Sequence, residues 1–409
     1  MLSVLTNSWP LLFGMLLLMI GNGLQGTLLG VRGAIEGFST FEMSIVMSAY
    51  FAGFLLASRM VPGMIRRVGH LRVFAALASI ISAVIVIYPA LPDPWVWTAG
   101  RVIIGFCFCG VYISAESWLN AAATNDNRGQ ALSLYMIVQV GGIVIAQALL
   151  LVADPAGFVL FVIPSVLVSI AVAPILLSAS PTPAFEQTTP LSLAALFRVS
   201  PLGCVGMFLL GGVFAAQFGM GAVYGTQAGL SVPQISAFVA AFYLGAVFLQ
   251  FPLGWISDRM DRRLLILITA AMGGAGAIVG LVSGGQFTAL LVAATMIGGM
   301  TNPLYSLLIA YTNDYLTRDT MAGASAGLLF INGLGAILGP VITGWAMGLF
   351  GPEGYFLLIA ILMFALVGYA AWRMTRRAAP SVADTNSYAP LSPTSTPVAA
   401  QAARAKPAV

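Results

Sequence analysis

The sequence predicts an all-α membrane protein in which twelve transmembrane helices form two six-helix halves. The chain of 409 residues is 59% hydrophobic and only 7% charged, whereas Asp, Glu, Lys and Arg make up roughly 25% of an average soluble domain. Its mean hydropathy is +0.97, and apolar windows of about 20 residues, the length that crosses a bilayer, recur along it. A water-soluble protein is excluded, because so few charges cannot coat a globule of this size.

The spans are marked by apolar windows that lie between charges, prolines and turn residues. The first group of six is predicted at residues 9–31, 41–63, 72–91, 95–120, 130–152 and 158–178. The second group is predicted at residues 202–224, 234–256, 264–284, 287–312, 323–345 and 355–373. The two groups are of similar length, so we expect two related bundles.

Four segments follow from this pattern. Residues 1–178 are predicted to form the N-terminal six-helix bundle and residues 201–373 the C-terminal one. Residues 179–200 between them contain three prolines with Thr and Ser, which is typical of a linker. Residues 374–409 are dominated by Ala, Pro, Ser and Thr without periodicity, and this composition predicts a disordered cytoplasmic tail.

The distribution of basic residues predicts the orientation in the membrane. One set of connectors collects most of the arginines, and the opposite set holds only Arg32 together with several acids. The basic set comprises Arg66, Arg67, Arg72, Arg128, Arg198, Arg259, Arg262, Arg263, Arg318, Arg373, Arg376, Arg377, Arg404 and Lys406. The positive-inside rule then places both termini in the cytoplasm. The net charge of +4 is thus a signal of topology and not of nucleic-acid binding.

The connector after the eighth span has the pattern Gly-x-x-x-Asp-Arg-x-x-Arg-Arg, from Gly254 through Asp258 and Arg259 to Arg263. This loop resembles the signature loop of the major facilitator superfamily. We expect Gly254 to let two helices approach closely, and Asp258 to accept hydrogen bonds from arginines or helix N-termini and so latch the cytoplasmic face. In the matching loop of the first half, Pro62 and Arg66 replace the expected Gly and Asp, so that latch is altered.

A second resemblance narrows the branch of the superfamily. The stretches Glu116-Ser-Trp-Leu-Asn, Asn127-Arg-Gly and Tyr135-Met resemble the YcaD-like branch, and Arg101-x-x-x-Gly resembles the basic motif of the fourth helix. That branch includes bacterial copper importers and riboflavin importers. The resemblance implies a secondary transporter that works by alternating access, with a small molecule as substrate.

Charges at membrane depth are candidates for gating or coupling, since each costs roughly 2.5 to 3.5 kcal/mol at a helix centre on insertion scales. The three are Arg59, Arg101 and Glu116. Arg59 and Glu116 lie at the same depth, which favours a structural ion pair and leaves proton coupling through Glu116 as the alternative. Arg101 is about 22 Å from Glu116 along one helix, so it needs another partner or an anionic ligand.

Uncharged polar residues within the spans are the remaining candidates for substrate contact, and each could instead be a helix–helix hydrogen bond. In superfamily members the first, fourth, seventh and tenth helices line the cavity. Together with Arg101, the candidates are Asn22, Gln25, Tyr112, Gln139, Gln217, Tyr243, Asn302 and Asn332. Amides and phenols without a dominant charge suit a neutral or weakly charged ligand that forms hydrogen bonds and contains an aromatic ring.

Several other functions are disfavoured. We find no nucleotide-binding loop and no zinc-protease motif, and the sole histidine, His70, is expected in a loop, so we predict no enzyme, no cofactor and no metal site. In copper-importing relatives the pattern is Met-x-x-x-Met in the seventh span with His-x-x-x-Met in the eighth, and this chain lacks it. Drug antiporters carry Gly-Pro in the fifth span, where Ala146-Gln147 stands here. Riboflavin uptake is the favoured function; copper import, or efflux of a small metabolite or drug, is the alternative.

Overall fold

The computed structural model describes residues 2–122, 128–177 and 191–376, together with residues 388 and 391. Within these residues the regular structure is helical throughout, which confirms the predicted fold class. The helices of the first half are α1 (Leu2–Ile35), α2 (Thr40–Val68), α3 (His70–Ala90), α4 (Pro94–Ala122), α5 (Arg128–Leu149) and α6 (Val159–Leu176). Those that follow are α7 (Leu193–Val199), α8 (Pro201–Ala215), α9 (Gly221–Gln227), α10 (Val232–Ser257), α11 (Arg262–Leu281), α12 (Phe287–Asn313), α13 (Arg318–Phe350) and α14 (Gly354–Met374).

Twelve spans are long and apolar enough to cross a membrane among the described residues, one for each predicted window. Several helices continue beyond their windows, because backbone hydrogen bonding does not stop where side chains become polar. Helix α2 passes through Pro62 and ends only at Val68. Its start is fixed by a capping box, in which the Ser39 hydroxyl accepts from the Glu42 amide and the Glu42 carboxylate accepts from the Ser39 amide.

Two local features depart from the predicted pattern. The predicted linker contains the short helix α7, whose start is capped by Ser192 accepting from the amide of Ala195. The seventh span is not one regular helix, since a π-helical segment, Ala216–Met220, separates α8 from α9. Segments of this kind are rare and concentrate at functional sites.

The chain divides into two compact units. Unit 1 comprises Met1–Gln187 with Thr394–Val409, and unit 2 comprises Thr188–Pro393. In unit 1 the main helix pairs are α2–α4, α1–α5, α1–α6, α3–α4 and α3–α6. Unit 2 repeats each of them as α10–α12, α8–α13, α8–α14, α11–α12 and α11–α14. The same packing scheme is therefore used twice.

Glycines allow close helix crossings in both units. A Cβ placed at Gly105 of α4 would collide with the backbone carbonyl of Tyr50 on α2. In unit 2, a Cβ at Gly298 of α12 would collide with the carbonyl of Phe242 on α10. Small residues at a crossing let two backbones approach closely within a membrane. In both the α2–α4 and the α10–α12 pair, a glycine on one helix faces a backbone carbonyl of the other.

The surface of the spans is apolar, as lipid contact requires. Large side chains such as Phe248, Trp255 and Trp345 are exposed, while the core is formed by residues such as Phe242 and Tyr305. Exposed hydrophobic surface on this scale marks a membrane interface.

Two residues of the predicted disordered tail are packed onto unit 2. Leu391 is buried, and the Tyr388 amide donates a hydrogen bond of 2.7 Å to Oδ1 of Asp258. At these two positions an aromatic ring and an apolar side chain pack against unit 2, and the disorder of the tail as a whole stays a prediction. The rest of the tail beyond residue 376 lies outside the described residues.

Candidate functional site

A cluster of amide, phenol and ring groups lies in unit 1, which we call the Asn22 cluster: Met19, Asn22, Gln25, Phe54 and Tyr112. Nδ2 of Asn22 donates to the Tyr112 hydroxyl at 3.1 Å, and that hydroxyl lies 3.5 Å from the sulfur of Met19. Gln25, which is fully buried, donates to Oδ1 of Asn22 at 3.4 Å. The Phe54 ring is 6.1 Å from the Tyr112 ring. Three predicted residues thus meet between α1 and α4, and Asn22 remains half-buried.

Arg101 is buried on α4 and makes contacts of an unusual kind. Its guanidinium carbon lies 4.7 Å from the centre of the Tyr50 ring, and Nη2 lies 3.9 Å from the sulfur of Met47. Nε and Nη1 of Arg101 have no hydrogen-bond partner within the described part of the chain. A cation–π contact compensates only part of the cost of burying a guanidinium. Two donors are therefore available to a bound group.

Glu116 is buried near the other end of α4, and Arg59 is exposed on α2. The carboxylate is within electrostatic range of Tyr135 on α5, and Gln139 lies beside that tyrosine. Gln139 is itself buried. The pairing of Glu116 with Arg59 stays a prediction.

In unit 2 the π-helical segment carries Gln217, whose side chain is fully buried. Its Oε1 accepts a hydrogen bond of 3.1 Å from the hydroxyl of Thr301 on α12, and its backbone carbonyl accepts from Tyr355 at 3.4 Å. The Nε2 of Gln217 has no hydrogen-bond partner among the described residues. An unmet donor of this kind is costly inside a membrane protein, so its position favours a polar ligand or water.

Aromatic rings lie next to Gln217. Phe218 in the same segment is 4.7 Å from the Tyr243 ring of α10 and stacks on Phe214 at 5.8 Å. Phe214 contacts Tyr305 edge-on at 6.2 Å. Phe218 and Tyr243 are half-buried. The four rings of Phe214, Phe218, Tyr243 and Tyr305 form one aromatic set, and Phe218 is the residue that follows Gln217 in the chain.

The two predicted asparagines of unit 2 differ in their surroundings. Asn332 is buried and donates to the backbone carbonyl of Met207 at 3.0 Å, which is a helix–helix contact between α13 and α8. Asn302 is half-buried and donates to the carbonyl of Gly298 on its own helix at 3.4 Å. Asn332 therefore forms a helix–helix hydrogen bond, and its contact with a substrate stays a prediction.

A charge network closes the end of unit 2 at the loop of residues 254–263. Arg262 holds both carboxylate oxygens of Asp314 at 2.5 and 2.7 Å, and both side chains are only 2% exposed. Asp258 lies 3.3 Å from Arg262 but is 38% exposed. Arg259 lies over the Trp255 ring at 4.1 Å. The buried partner of the arginine is therefore Asp314, just beyond the end of α12, and Asp258 is its outer partner.

The neighbouring pair in this loop is more accessible to water. Asp261 caps α11 by accepting from the amide of Arg263 at 2.9 Å, and the Arg263 side chain reaches the same carboxylate at 2.8 Å. Partial burial by itself would raise the pKa of Asp261, but the hydrogen bonds from Arg263 outweigh it and hold that pKa below its ordinary value.

Two residues named from the sequence have surroundings that the sequence did not predict. A Cβ at Gly254 would lie 2.6 Å from ring atoms of Tyr388, so this glycine makes room for a tail residue. His70 is not in a loop, because it is the buried first residue of α3.

Several residues of these clusters were not found by sequence reasoning. They are Tyr50, Phe54, Phe218, Thr301, Asp314 and Tyr388. Tyr50 and Thr301 are polar residues within spans, a signal that was available. Nothing local distinguishes Phe218 from other membrane phenylalanines, or Tyr388 from other residues of a low-complexity tail.

The three cysteines, Cys107, Cys109 and Cys204, are buried and free. The described residues contain no group of three or more His, Cys, Asp or Glu side chains able to hold a metal ion.

The family model of the major facilitator superfamily matches residues 11–231 and 202–408. The chain belongs to the major facilitator superfamily. It is therefore a multi-pass membrane transporter of the secondary type, and not an enzyme.

Curated relatives of this superfamily cover most of the chain. A protein of Escherichia fergusonii described as the uncharacterized MFS-type transporter YcaD is 25% identical over 358 residues, which cover 87% of this chain and 92% of the relative. The YcaD of Salmonella arizonae is 26% identical over the same coverage.

Solved structures of superfamily transporters share the fold. A point mutant of the nucleoside transporter NupG gives a TM-score of 0.78 at 14% identity, covering 89% of this chain and 99% of the other. A point mutant of the Escherichia coli fucose:proton symporter FucP gives 0.59 at 15% identity, covering 91% and 99%. At these identities the likeness establishes the fold alone.

Proposed function

We propose that this transporter imports a small, flat, hydrogen-bonding organic solute, with riboflavin as the first candidate. We place it in the cytoplasmic membrane of a bacterium with both termini in the cytoplasm. The transport class is established by the family. The substrate, direction and orientation are our inference.

The observation that carries the proposal is the arrangement around Gln217. The buried amide of Gln217, with an unmet N–H, lies in the π-helical segment of a transmembrane helix, and the next residue, Phe218, pairs its ring with that of Tyr243. Substrate sites of secondary transporters are built from discontinuous helices near the membrane midplane. An amide donor next to a ring suits a heterocycle, because its edge offers carbonyl and imide groups and its face stacks.

The Asn22 cluster supports the same chemistry independently in unit 1. It combines amides and a phenol with the Phe54 ring. Arg101 adds donors to the ring-rich region around Tyr50. A guanidinium can form hydrogen bonds with carbonyl oxygens of a heterocycle as well as with an anion.

The test measures binding and uptake directly. Purified protein in nanodiscs is titrated with riboflavin, a nucleoside and Cu(I), with riboflavin fluorescence and thermal shift as readouts. Expression in a riboflavin auxotroph that lacks its own importer is expected to restore growth at low vitamin concentration. Growth should be weakened by Asn302→Ala and by Tyr243→Ala.

Tyr112→Phe is expected to weaken riboflavin binding by roughly fivefold, because one hydroxyl contact contributes about 1 kcal/mol. The matched control is Tyr369→Phe on α14, which removes the same atom from a residue that contacts Trp372. Binding by the control should equal that of the unchanged protein. Equal binding by both variants would argue against the Asn22 cluster as a solute contact.

Failure of rescue by well-expressed protein would reject riboflavin. If copper-dependent oxidase activity in a copper-import mutant is restored instead, the runner-up function replaces it. If the nucleoside binds and riboflavin does not, the proposed substrate class, a flat heterocycle, is kept and the nucleoside replaces riboflavin as the candidate.

Glu116→Gln is expected to raise labelling of an Asn22→Cys reporter from the cytoplasmic face by roughly fivefold, corresponding to loss of about 1 kcal/mol. The reason is that a buried carboxylate near the end of α4 would hold the inner gate closed. The measurement uses impermeant maleimide on oriented vesicles, with Glu353→Gln as the control at an exposed acid. Unchanged labelling with loss of pH-dependent transport would assign Glu116 to proton coupling instead.

The orientation has its own test. Reporter fusions after Arg72, Arg128, Arg263 and Arg377 are all expected to give cytoplasmic signals, because these connectors carry the basic residues. Fusions after Asp93 and Glu353 serve as the periplasmic controls. A periplasmic signal at any of the four arginine positions would refute the topology.

A further inference from the structure

The groove between α10 and α12 in unit 2 is filled by a segment that is remote in sequence. Tyr388 and Leu391 are the only aromatic residue and the only leucine between Arg377 and Val409. Both contact this groove. The two side chains best able to bury apolar surface in this region are therefore the two that are docked.

The contacts of Tyr388 follow one face of α10. Its hydroxyl accepts from Nε2 of Gln250 at 3.0 Å, its ring lies against Gly254, and its amide donates to Asp258 at 2.7 Å. Residues 250, 254 and 258 are spaced by four, so they form one stripe along the helix. Burial of the ring raises the pKa of the Tyr388 hydroxyl, so it is neutral in this position.

Leu391 fixes the segment to the second helix. Oγ of Ser306 on α12 lies 2.9 Å from the Leu391 amide and 3.1 Å from its carbonyl oxygen. Gln250 also donates to Ser306 at 3.2 Å. The hydroxyl of Ser306 and the side-chain amide of Gln250 therefore connect α10, α12 and the two tail residues.

The contacts of Tyr388 and Leu391 lie close to the charge network of unit 2. Asp258 also contacts Arg262, which holds Asp314 at the end of α12, so the segment lies at the charged end of the bundle. Ser306 is one turn from Asn302, and Gln250 is two turns from Tyr243. Tyr388 and Leu391 thus lie along α10 and α12 between the charged loop and the half-buried residues Tyr243 and Asn302.

We propose that Tyr388 and Leu391 form an autoinhibitory strap, which docks in the α10–α12 groove, shields its polar residues from water and must leave before the groove opens. The four hydrogen bonds that join the strap to the two helices have to break when the helix ends separate. Removal of the strap should therefore favour the open form. This proposal does not depend on which solute is transported.

Docking is tested by disulfide cross-linking of the full chain in nanodiscs, with Cys107, Cys109 and Cys204 replaced by serine. Ser306→Cys with Leu391→Cys is expected to cross-link with copper phenanthroline, since the two residues are in direct contact. A fluorescent protein fused after Val409 and a protease site inserted between residues 377 and 388 report the link on a gel. Ser306→Cys with Ala399→Cys is the control. Equal cross-linking of the two pairs, or none, would overturn docking.

Shielding and gating are tested by maleimide labelling rates in the same background. Gln250→Cys is expected to react about tenfold faster when Tyr388→Ala and Leu391→Ala are combined, and equally fast after truncation at Arg377. Asn302→Cys should react at least threefold faster after the same changes, roughly 0.7 kcal/mol by conversion. Tyr369→Ala is the control for loss of a tyrosine.

Each result decides one part of the proposal. Unchanged labelling at Gln250→Cys would overturn the strap itself. Faster labelling there with unchanged labelling at Asn302→Cys would overturn the autoinhibitory role. Because no solute is added, neither result depends on the riboflavin hypothesis, which the binding titration tests separately.

Discussion

Asp314→Asn is expected to destabilise the protein by about 3 to 5 kcal/mol, because it leaves the buried guanidinium of Arg262 without its main counter-charge. Both oxygens of Asp314 contact one nitrogen of Arg262, at 2.5 and 2.7 Å, and both side chains are 2% exposed. The contact of Arg262 with its other carboxylate, Asp258, is longer, at 3.3 Å, and that carboxylate is 38% exposed. Little of the lost interaction is therefore recovered.

The measurement is thermal unfolding followed with a thiol-reactive dye, which suits a chain whose three cysteines are buried. We expect the Tm to fall by roughly 6 °C or more. Asp261→Asn is the matched control, since it removes a charge from the more exposed pair with Arg263 while an amide can still cap α11. Its effect should stay below about 1 kcal/mol.

A double variant separates the ion pair from other roles of Asp314. Arg262→Met with Asp314→Leu removes both charges and keeps apolar volume, and such replacements are often neutral or stabilising. We expect the double variant to regain most of the Tm lost by Asp314→Asn. If it is as unstable as the single variant, the pair is not the source of the effect.

Gly105→Ala and Gly298→Ala are each expected to destabilise by about 1 to 3 kcal/mol or more. In each case the new methyl group meets the backbone of a neighbouring helix, at Tyr50 or Phe242, and a backbone cannot move aside as a flexible side chain can. The helices of the α2–α4 and α10–α12 pairs must therefore separate. The dye-monitored Tm reports the loss.

Gly141→Ala is the control, because a Cβ at Gly141 of α5 meets nothing within 4 Å. With no clash, alanine is favoured over glycine within a helix by roughly 0.8 to 1 kcal/mol. Its Tm should stay the same or rise. A similar fall in all three variants would mean that helix flexibility, and not close packing, is what these glycines supply.

The sequence by itself determined the number and positions of the spans. It also determined which set of connectors carries the basic residues. These are local properties, since about 20 apolar residues in succession suffice to predict a span whatever its neighbours are. The second span illustrates the limit of local reasoning: its predicted window ended at residue 63, yet α2 continues to Val68, where the amide of Gly69 still donates to the carbonyl of Ile65.

Partners that are distant in sequence could not be predicted in this way. Arg262 meets Asp314, 52 positions away, and Asn332 reaches the carbonyl of Met207, 125 positions away. Which polar residue bonds to a helix and which remains available depends on the rotation of each helix in its bundle. Composition and spacing do not fix that rotation.

The π-helical segment and the docked tail were decided only by tertiary structure. No proline marks Ala216–Met220, and its irregular backbone is stabilised by contacts such as Thr301 to Gln217. Tyr388 and Leu391 lie in a stretch whose composition predicts disorder, and they are ordered because Gly254 leaves space and Asp258, Gln250 and Ser306 supply partners. A pocket formed by two other helices cannot be inferred from the segment that fills it.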